Sequence, residues 1–249
     1  MLIFSANDLV DEKADRIRRT MEVNPAPKAL LDGTVTRRAM AYAALAGAAM
    51  VLAAGHFLAA HTGQRAPSFL AMTAVLCVVV YEFYPFRLNY RGGGELVEAF
   101  GVGVVLPLFG AAACGASSPR ALAALLPSLG FLGLASAIGS TLGDANADAA
   151  AGKNTVSVRL GAGRAATASA VTLNAAAFAA MLGSLAGKPS AAVLAIAIAA
   201  TMGRVISASK AWNGLSSDGL SRVKSALGRS VQTAWIAAVA GFALDRIFS

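Results

Sequence analysis

Apolar residues form long segments along this chain, and short polar connections separate them. A helix needs about 20 mostly apolar residues to cross a bilayer. Seven segments are close to that length or exceed it: about 38–60, 67–85, 95–115, 119–142, 164–186, 189–210 and 229–247. Residues 1–6 are typical of the last turns of one more helix, whose beginning is absent. The pattern predicts an all-α fold, a polytopic bundle of transmembrane helices in a single membrane domain spanning residues 1–249.

The composition supports this interpretation. Hydrophobic residues make up 57% of the chain and charged residues only 14%, whereas a soluble domain normally has about 25% charged residues. The formal net charge is +8, which in a soluble protein would indicate a nucleic-acid partner. Here the cations follow the membrane topology instead, and we expect no nucleic-acid partner.

The cations are concentrated in alternate connections. Four connections are rich in them: Lys13 to Arg38, Arg87 to Arg91, Lys153 to Arg164, and Arg204 to Arg229. The opposite connections have one cation each: Arg65, Arg120 and Lys188. Because an excess of Lys and Arg marks the cytoplasmic face, we expect an integral membrane protein, in a bacterial inner membrane, whose four basic connections are cytoplasmic.

A first group of acids lies on this basic side, in the stretch Ala6 to Arg19, ANDLVDEKADRIRR. In a helix, Asp8, Asp11 and Asp15 would occupy positions i, i+3 and i+7 and share one face. Three anions on one face repel each other, and an apolar core would not satisfy them. The stretch therefore indicates a polyvalent cation or a cationic substrate. A solvated acidic turn beside the membrane is the alternative.

A second group of acids follows the span that ends near residue 142. Asp144 and Asp148 stand at i and i+4, and Lys153 and Arg159 come after them. Magnesium usually binds through one or two carboxylates plus phosphate oxygens, and Lys or Arg neutralises the remaining phosphate charge. Ordinary interfacial charges would explain either group by itself. Two groups on the same face predict a diphosphate held through magnesium, because acids near membrane depth are costly.

These motifs resemble the two aspartate-rich motifs of the UbiA-type intramembrane prenyltransferases. They read NDLVDEKAD, from Asn7 to Asp15, and DANADAAAGKNTVSVRLG, from Asp144 to Gly161. A third segment, YPFRLNYRGGGEL from Tyr84 to Leu96, is similar to one in the 1,4-dihydroxy-2-naphthoate branch, which serves menaquinone and phylloquinone synthesis. The resemblance covers essentially the whole chain. It implies nine transmembrane helices around a central cavity that opens to lipid, with about seven complete here and the first and most of the second missing.

The resemblance also implies an activity, namely magnesium-dependent transfer of a polyprenyl group from polyprenyl diphosphate to an aromatic acceptor within the lipid bilayer, at the cytoplasmic side. The acceptor in this branch is 1,4-dihydroxy-2-naphthoate, in quinone biosynthesis. The implied catalytic and metal-binding residues are Asp8, Asp11, Asp15, Asp144 and Asp148, with Asn7 as a further metal ligand. The implied substrate-binding residues are Asn7, Lys153, Arg91, Tyr84, Glu95 and Arg159.

Several alternatives stay open at this point. Gly93 stands where the naphthoate branch usually has a larger residue, so 4-hydroxybenzoate or homogentisate could be the acceptor. The missing helices leave room for a truncated protein that binds prenyl diphosphate without turnover. The spacing D-x-x-D-G-x-x-A-R of CDP-alcohol phosphotransferases is absent, and a soluble terpene synthase would not need seven apolar spans. Glu82 either serves the reaction, by binding the acceptor or removing a proton, or extends to the membrane interface or pairs with Arg87. Glu98 is interpreted as complementing a helix dipole.

Overall fold

The computed structural model describes residues 2–21, 27–113, 119–185, 189–211 and 217–247, and every regular element in these ranges is helical. The helices are α1 Leu2–Val10, α2 Glu12–Met21, α3 Arg37–Thr62, α4 Ala66–Glu82, α5 Leu88–Arg91, α6 Gly94–Phe100, α7 Leu106–Ala113, α8 Pro119–Thr141, α9 Ala145–Ala151, α10 Val156–Leu160, α11 Ala162–Leu185, α12 Pro189–Ala211 and α13 Ser217–Ile247. A π-helical turn, Gly101–Val105, joins α6 to α7 into one long helix. The all-α prediction is confirmed.

Each of the seven predicted spans falls on a long helix: α3, α4, α6 with α7, α8, α11, α12 and α13. Within the described ranges, four segments are long and apolar enough to cross a membrane: Arg37–Thr62, Gly94–Ala113, Leu122–Thr141 and Ala162–Leu185. Helix α4 is also apolar but has only 17 residues. The chain therefore has the elements of an integral membrane protein. The predicted span ends at 114–115 and 186, and the cation Lys188, lie outside the described residues.

Two predicted boundaries differ from the structure for local reasons. Helix α4 ends at Glu82 rather than 85, because Pro85 restricts the residue before it to an extended backbone. Helix α13 begins at Ser217 rather than near 229. Its early turns bury Val223, Ala226 and Leu227, a spacing that forms one apolar face of a helix, so the basic residues between them continue the helix instead of forming a connection.

The core lies among α8, α11, α12 and α13. Large aliphatic side chains from all four helices are at most 1% exposed there: Leu125, Leu129, Leu132, Leu173, Leu194, Ile198 and Leu227. Two hydroxyls fix α8 against α11, because Ser128 Oγ donates to the Ala176 carbonyl and Ser169 Oγ donates to the Ala135 carbonyl, each at 2.7 Å. Such hydroxyl bonds are typical of helices packed in lipid.

Glycines allow the remaining helices to approach this core closely. A Cβ placed on Gly103, in the π-helical turn, would lie 2.4 Å from the Leu129 carbonyl oxygen of α8. A Cβ on Gly47 of α3 would lie 2.8 Å from the backbone nitrogen of Leu2 in α1. These contacts dock α1 on α3 and α6 on α8. Helix α2 in turn packs against α9, so the first acidic motif faces the second.

Candidate active site

The two acidic motifs meet at one end of the bundle, although they are far apart in the sequence. Lys153 joins them: its ammonium binds Asp11 Oδ2 and lies 3.7 Å from Asp148 Oδ1. Asp11 is 5% exposed and Asp148 is 3% exposed. Buried carboxylates are tolerated only when charges or hydrogen bonds compensate them. The position of Lys153 between them supplies part of that compensation.

The first motif is divided between two helices. Helix α1 ends at Val10 and α2 begins at Glu12, but backbone hydrogen bonds from Asp11 to Asn7 and from Asp15 to Asp11, both 2.8 Å, continue through the interruption. This spacing of four places Asn7, Asp11 and Asp15 in a row that lines a cavity. Asp8 is not in that row. Its carboxylate accepts from the Lys28 ammonium at 2.7 Å, and that ammonium also lies 3.1 Å from Asp15 Oδ2 and lines the cavity. Asp8 therefore lies at the edge of the site and is joined to it through Lys28.

The second motif follows the end of α8. Asp144 immediately precedes α9, and Asp148 lies in the first turn of that helix. Helix α9 ends at Gly152, whose φ of 83° is in the left-handed region that favours glycine. This turn brings Lys153 back beneath Asp148, and the Lys153 backbone N–H donates to the Asp148 carbonyl at 2.8 Å. The spacing from Asp148 to Lys153 is therefore set by the helix end.

Two further cations compensate the acids. Arg18 Nη2 lies 3.0 Å from Asp144 Oδ2 and 4.0 Å from Asp148 Oδ1, and Arg18 Nη1 lies 3.7 Å from Asp15 Oδ1. Lys28 bridges Asp8 and Asp15, at 2.7 and 3.1 Å. In the sequence both cations belong to a basic connection, and they were not predicted as site residues. The one sequence signal for Arg18 is its position three residues after Asp15, on the same helical face.

These groups, apart from Asp8, line a cavity of about 350 Å³. Its lining residues are Ile3, Phe4, Asn7, Asp11, Asp15, Arg18, Lys28, Tyr81, Asn89, Glu98, Ser140, Thr141, Asp144, Asp148, Lys153 and Thr155. Glu98 therefore faces the cavity. The acid in the first turn of α6 is Glu95, so the dipole role expected for Glu98 is not supported. Tyr81 and Asn89 also belong to the lining, and no pattern in the sequence singled them out.

Four of the expected substrate-binding residues lie outside the lining. Tyr84 is 71% exposed, and Arg91 and Arg159 are exposed as well. Glu95 is buried and accepts a hydrogen bond of 2.6 Å from the backbone N–H of Val156, which opens α10 and has no partner within its own helix. Glu95 thus ties α6 to α10 and does not reach the cavity.

Glu82 does not pair with Arg87, so that alternative is wrong. The guanidinium of Arg87 instead lies 3.7 Å from the centre of the Tyr90 ring. Glu82 is 1% exposed and accepts hydrogen bonds from the amides of Asn7, at 3.0 Å, and Asn89, at 3.4 Å. It lies behind the cavity wall rather than in it, which also argues against direct contact with an acceptor.

The site suits a divalent cation by its donor chemistry. Asp11 Oδ1 and Asp148 Oδ1 are buried and have no hydrogen-bond partner among the described residues. Such oxygens are suitable ligands for magnesium. Within the described ranges, no three His, Cys, Asp or Glu side chains converge on one metal position. This fits a metal that takes one or two protein carboxylates and fills its remaining positions with phosphate and water.

The ionisation of the site reflects its balance of charges. Burial raises the pKa of the Asp148 carboxyl, and the charge of Lys153 opposes that shift only in part. Burial would lower the pKa of the Lys28 ammonium, but its hydrogen bonds to Asp8 and Asp15 outweigh burial and raise it. The positive charge around Asp148 thus compensates its burial only in part, which suits a site that receives a further cation.

The comparison with protein families decides the relationship of this chain. Residues 1–218 match the model of the UbiA prenyltransferase family. The chain belongs to the UbiA prenyltransferase family. No curated protein matches the sequence. The match establishes the family but does not assign the chain to the naphthoate branch.

Two solved structures share the UbiA fold. One is an apo structure of a UbiA homolog from Aeropyrum pernix K1, with a TM-score of 0.69 and 20% identity, covering 99% of this chain and 85% of that one. The other is a UbiA homolog from Archaeoglobus fulgidus bound to GPP and Mg²⁺, with a TM-score of 0.67 and 18% identity, covering 96% of this chain and 83% of that one. At these identities the likeness establishes the fold.

Proposed function

We propose that this UbiA-family chain transfers a prenyl group from a prenyl diphosphate to an aromatic acceptor, with magnesium as cofactor. The observation that carries the proposal is the convergence of both acidic motifs and three cations on one cavity. The Archaeoglobus fulgidus relative, which was solved with GPP and Mg²⁺, supports the same ligand class. Membrane-depth acids paired in this way are usually functional.

The proposed diphosphate position lies between Asp11 and Asp148. The Oδ1 atoms of these two residues, which lack hydrogen-bond partners, would hold magnesium. When bound, magnesium stabilises the negative charge that develops on the departing diphosphate. Arg18, Lys28 and Lys153 now bind carboxylates in the cavity wall. Metal at the carboxylates would release these donors to phosphate oxygens, with which Lys and Arg form strong charge-assisted hydrogen bonds.

The reaction then proceeds by substitution at the allylic carbon. The C–O bond breaks and its electron pair leaves with the diphosphate, while an electron-rich ring carbon of the acceptor forms the new C–C bond. The ring finally loses a proton, or carbon dioxide when that carbon carries a carboxylate. The residues of this chain contribute by holding the diphosphate at fixed donors, which lowers the cost of charge separation.

The acceptor that we propose is 1,4-dihydroxy-2-naphthoate, on the resemblance of the segment from Tyr84 to Leu96. Asn89 of this segment lines the cavity, so the segment contributes to the wall that an acceptor would contact. Gly93 has a φ of 89° and open space around its Cβ position. Because the naphthoate branch usually has a larger residue at the position of Gly93, its absence leaves open a different acceptor. The experiment below therefore also tests 4-hydroxybenzoate and homogentisate. We also propose that the site faces the cytoplasm of a bacterial inner membrane, because the basic connections surround it.

The test uses membranes containing the protein, magnesium, radiolabelled geranylgeranyl diphosphate or a longer homologue, and the three acceptors in parallel. Asp148→Asn is the matched control, because it keeps the size of the side chain and removes its charge. Prenylated naphthoate from the wild type but not from the variant is the expected result. Product with another acceptor would preserve the transferase and change its acceptor. Absence of product with every acceptor would contradict the proposed activity and favour a protein that binds prenyl diphosphate without turnover.

A further inference from the structure

Glu82 is a buried carboxylate that the proposed reaction does not use. It ends α4, and each of its oxygens accepts from a different amide: Oε1 from Asn7 and Oε2 from Asn89. Both of these amides line the cavity, whereas Glu82 does not. Glu82 thus connects the first acidic motif to the segment after α4, from behind the cavity wall.

The hydrogen bonds of Asn7 determine which atom of its amide can serve a ligand. Its Nδ2 donates to Glu82 Oε1 at 3.0 Å and to Asp11 Oδ2 at 3.1 Å. An amide nitrogen has two N–H groups, and ionised carboxylates only accept. Both N–H groups of Asn7 are therefore committed to the two acids, and the amide cannot be reversed without placing its oxygen against them. The carbonyl oxygen is the remaining polar atom of this cavity-lining side chain, and it is the atom type that binds magnesium.

Stability gives no good account of Glu82. A carboxylate that is 1% exposed is expensive to bury unless a cation accompanies it. Among the residues that the structure describes, no Lys or Arg forms a salt bridge with Glu82, and its hydrogen-bond donors are the two neutral amides. An apolar side chain would avoid the cost of burying the charge but would leave the N–H groups of Asn7 and Asn89 without this acceptor. The role of Glu82 therefore lies in holding these two cavity-lining amides.

We propose that Glu82 is a positioning residue for the metal site, holding the amide of Asn7 so that its carbonyl oxygen, and not its N–H groups, is presented to the cavity. The inference rests on the proposed function, since it requires a divalent cation beside Asn7. Glu82 acts on the metal through Asn7 and touches neither metal nor substrate, while its second hydrogen bond holds Asn89. Partners of this kind behind metal ligands typically change metal affinity by about 10–100-fold when removed.

The experiment measures Mn²⁺ affinity of the purified protein by electron paramagnetic resonance, with thermal unfolding as the check on folding. Glu82→Leu removes the acceptor and should weaken Mn²⁺ binding by about 10–100-fold. Glu12→Leu is the matched control, because Glu12 lies within the first motif but outside the cavity lining, where it pairs with Arg16 and Arg37. It removes one negative charge near the site without touching Asn7, and should change the affinity far less.

A double-mutant cycle separates action through Asn7 from a general effect of charge. In an Asn7→Ala background, Glu82→Leu should cause no additional loss of Mn²⁺ affinity. An equal loss in both backgrounds, or wild-type affinity in Glu82→Leu, would overturn the inference. A wild-type protein that binds no Mn²⁺ would overturn the proposed function along with it, so the two failures are distinguishable.

A second pair of variants preserves side-chain size in case Glu82→Leu does not fold. Asn7→Asp sets a third carboxylate against Glu82 and Asp11. Adding Glu82→Gln to this variant lets the new amide at position 82 donate to the new carboxylate at position 7. The double variant should therefore bind Mn²⁺ more tightly than Asn7→Asp, even though the site loses a negative charge. A fall in affinity on adding Glu82→Gln is what charge alone would produce, and that result would refute the positioning role.

Discussion

Lys153 offers the sharpest perturbation of the charge balance in this site. Its ammonium binds Asp11 and lies 3.7 Å from Asp148, and all three side chains are buried. Lys153→Met keeps the length and apolar stem of the side chain but removes the charge. Two buried carboxylates then lose their shared cation, and among the described residues Arg18 is the one other cation within 4.0 Å of Asp148. We expect the ligand-free protein to be strongly destabilised.

The size of the effect follows from the burial. Removing one partner of a buried ion pair costs about 3–5 kcal/mol, and the adjoining cavity, which admits water, favours the lower end, about 3 kcal/mol. For a chain of this length a change of 1 kcal/mol shifts Tm by about 2–4 °C. The predicted fall in Tm is therefore about 6–12 °C. Magnesium at about 100 times the variant's Kd would return roughly 2.7 kcal/mol. The variant should bind magnesium more tightly than the wild type, because the metal replaces the missing charge, and should therefore gain more stability at the same magnesium concentration.

Thermal unfolding in detergent, with and without magnesium, measures both parts of the prediction. Arg37→Ala is the matched control, because Arg37 also contacts a carboxylate, Glu12 at 2.6 Å, but on the surface. Exposed pairs contribute at most about 1 kcal/mol, so this variant should unfold within a few degrees of the wild type. Lys153 would not be the compensating charge of the two acids if Lys153→Met unfolded at the wild-type temperature. The same conclusion would follow if magnesium raised the Tm of the variant no more than that of the wild type.

Three further predictions concern turnover, ligand binding and packing. Asp11→Asn and Asp144→Asn should each abolish turnover in folded, membrane-inserted protein, and excess chelator should do the same to the wild type; full activity in any of these cases would exclude a metal-bridged diphosphate. Arg18→Ala should weaken binding of a prenyl diphosphate more than Arg38→Ala, as measured by equilibrium binding, because Arg18 alone of the two lines the cavity; equal affinities would remove Arg18 from the diphosphate site. Gly103→Ala should lower Tm, with a cost of about 1–3 kcal/mol for overpacking, whereas Gly110→Ala should be tolerated, since a Cβ meets the Leu129 carbonyl at Gly103 and nothing within 4 Å at Gly110.

The helical fold was predictable from the sequence because each span is a long apolar run, a signal that needs no tertiary information. The family followed from two spaced acidic motifs. The ends of helices were less predictable. Helix α13 begins at Ser217, because one face of its early turns is buried although basic residues occupy the other faces. The hydropathy pattern predicted a connection there, since it averages over all faces.

The acids of the site were predictable, but their partners were not. Spacing places Asp11 and Asp148 near helix ends, and family resemblance joins their motifs. Arg18 and Lys28 become site residues only when α2 packs against α9 and the chain returns over α1. Such contacts depend on how helices pack in three dimensions, which no local pattern encodes.

The same limit explains the residues whose roles changed. Glu95 belongs to the segment that resembles the naphthoate branch, yet its carboxylate binds the backbone of Val156. Asp8 belongs to the first motif but does not itself line the cavity, because its carboxylate binds Lys28, which does. Membership of a motif therefore did not determine which side chains reach the cavity, because one residue of spacing along a helix rotates a side chain by about 100°.

The central claim is that both motifs form one diphosphate site. It is tested most directly by binding of a non-reactive prenyl diphosphate analogue, with magnesium, to the wild type, Asp11→Asn, Asp148→Asn and the double variant. The account predicts that each single variant loses most of the magnesium-dependent affinity and that the double variant loses little more, because the two acids act on the same ligand. Independent, additive losses, or unchanged binding in either single variant, would contradict it.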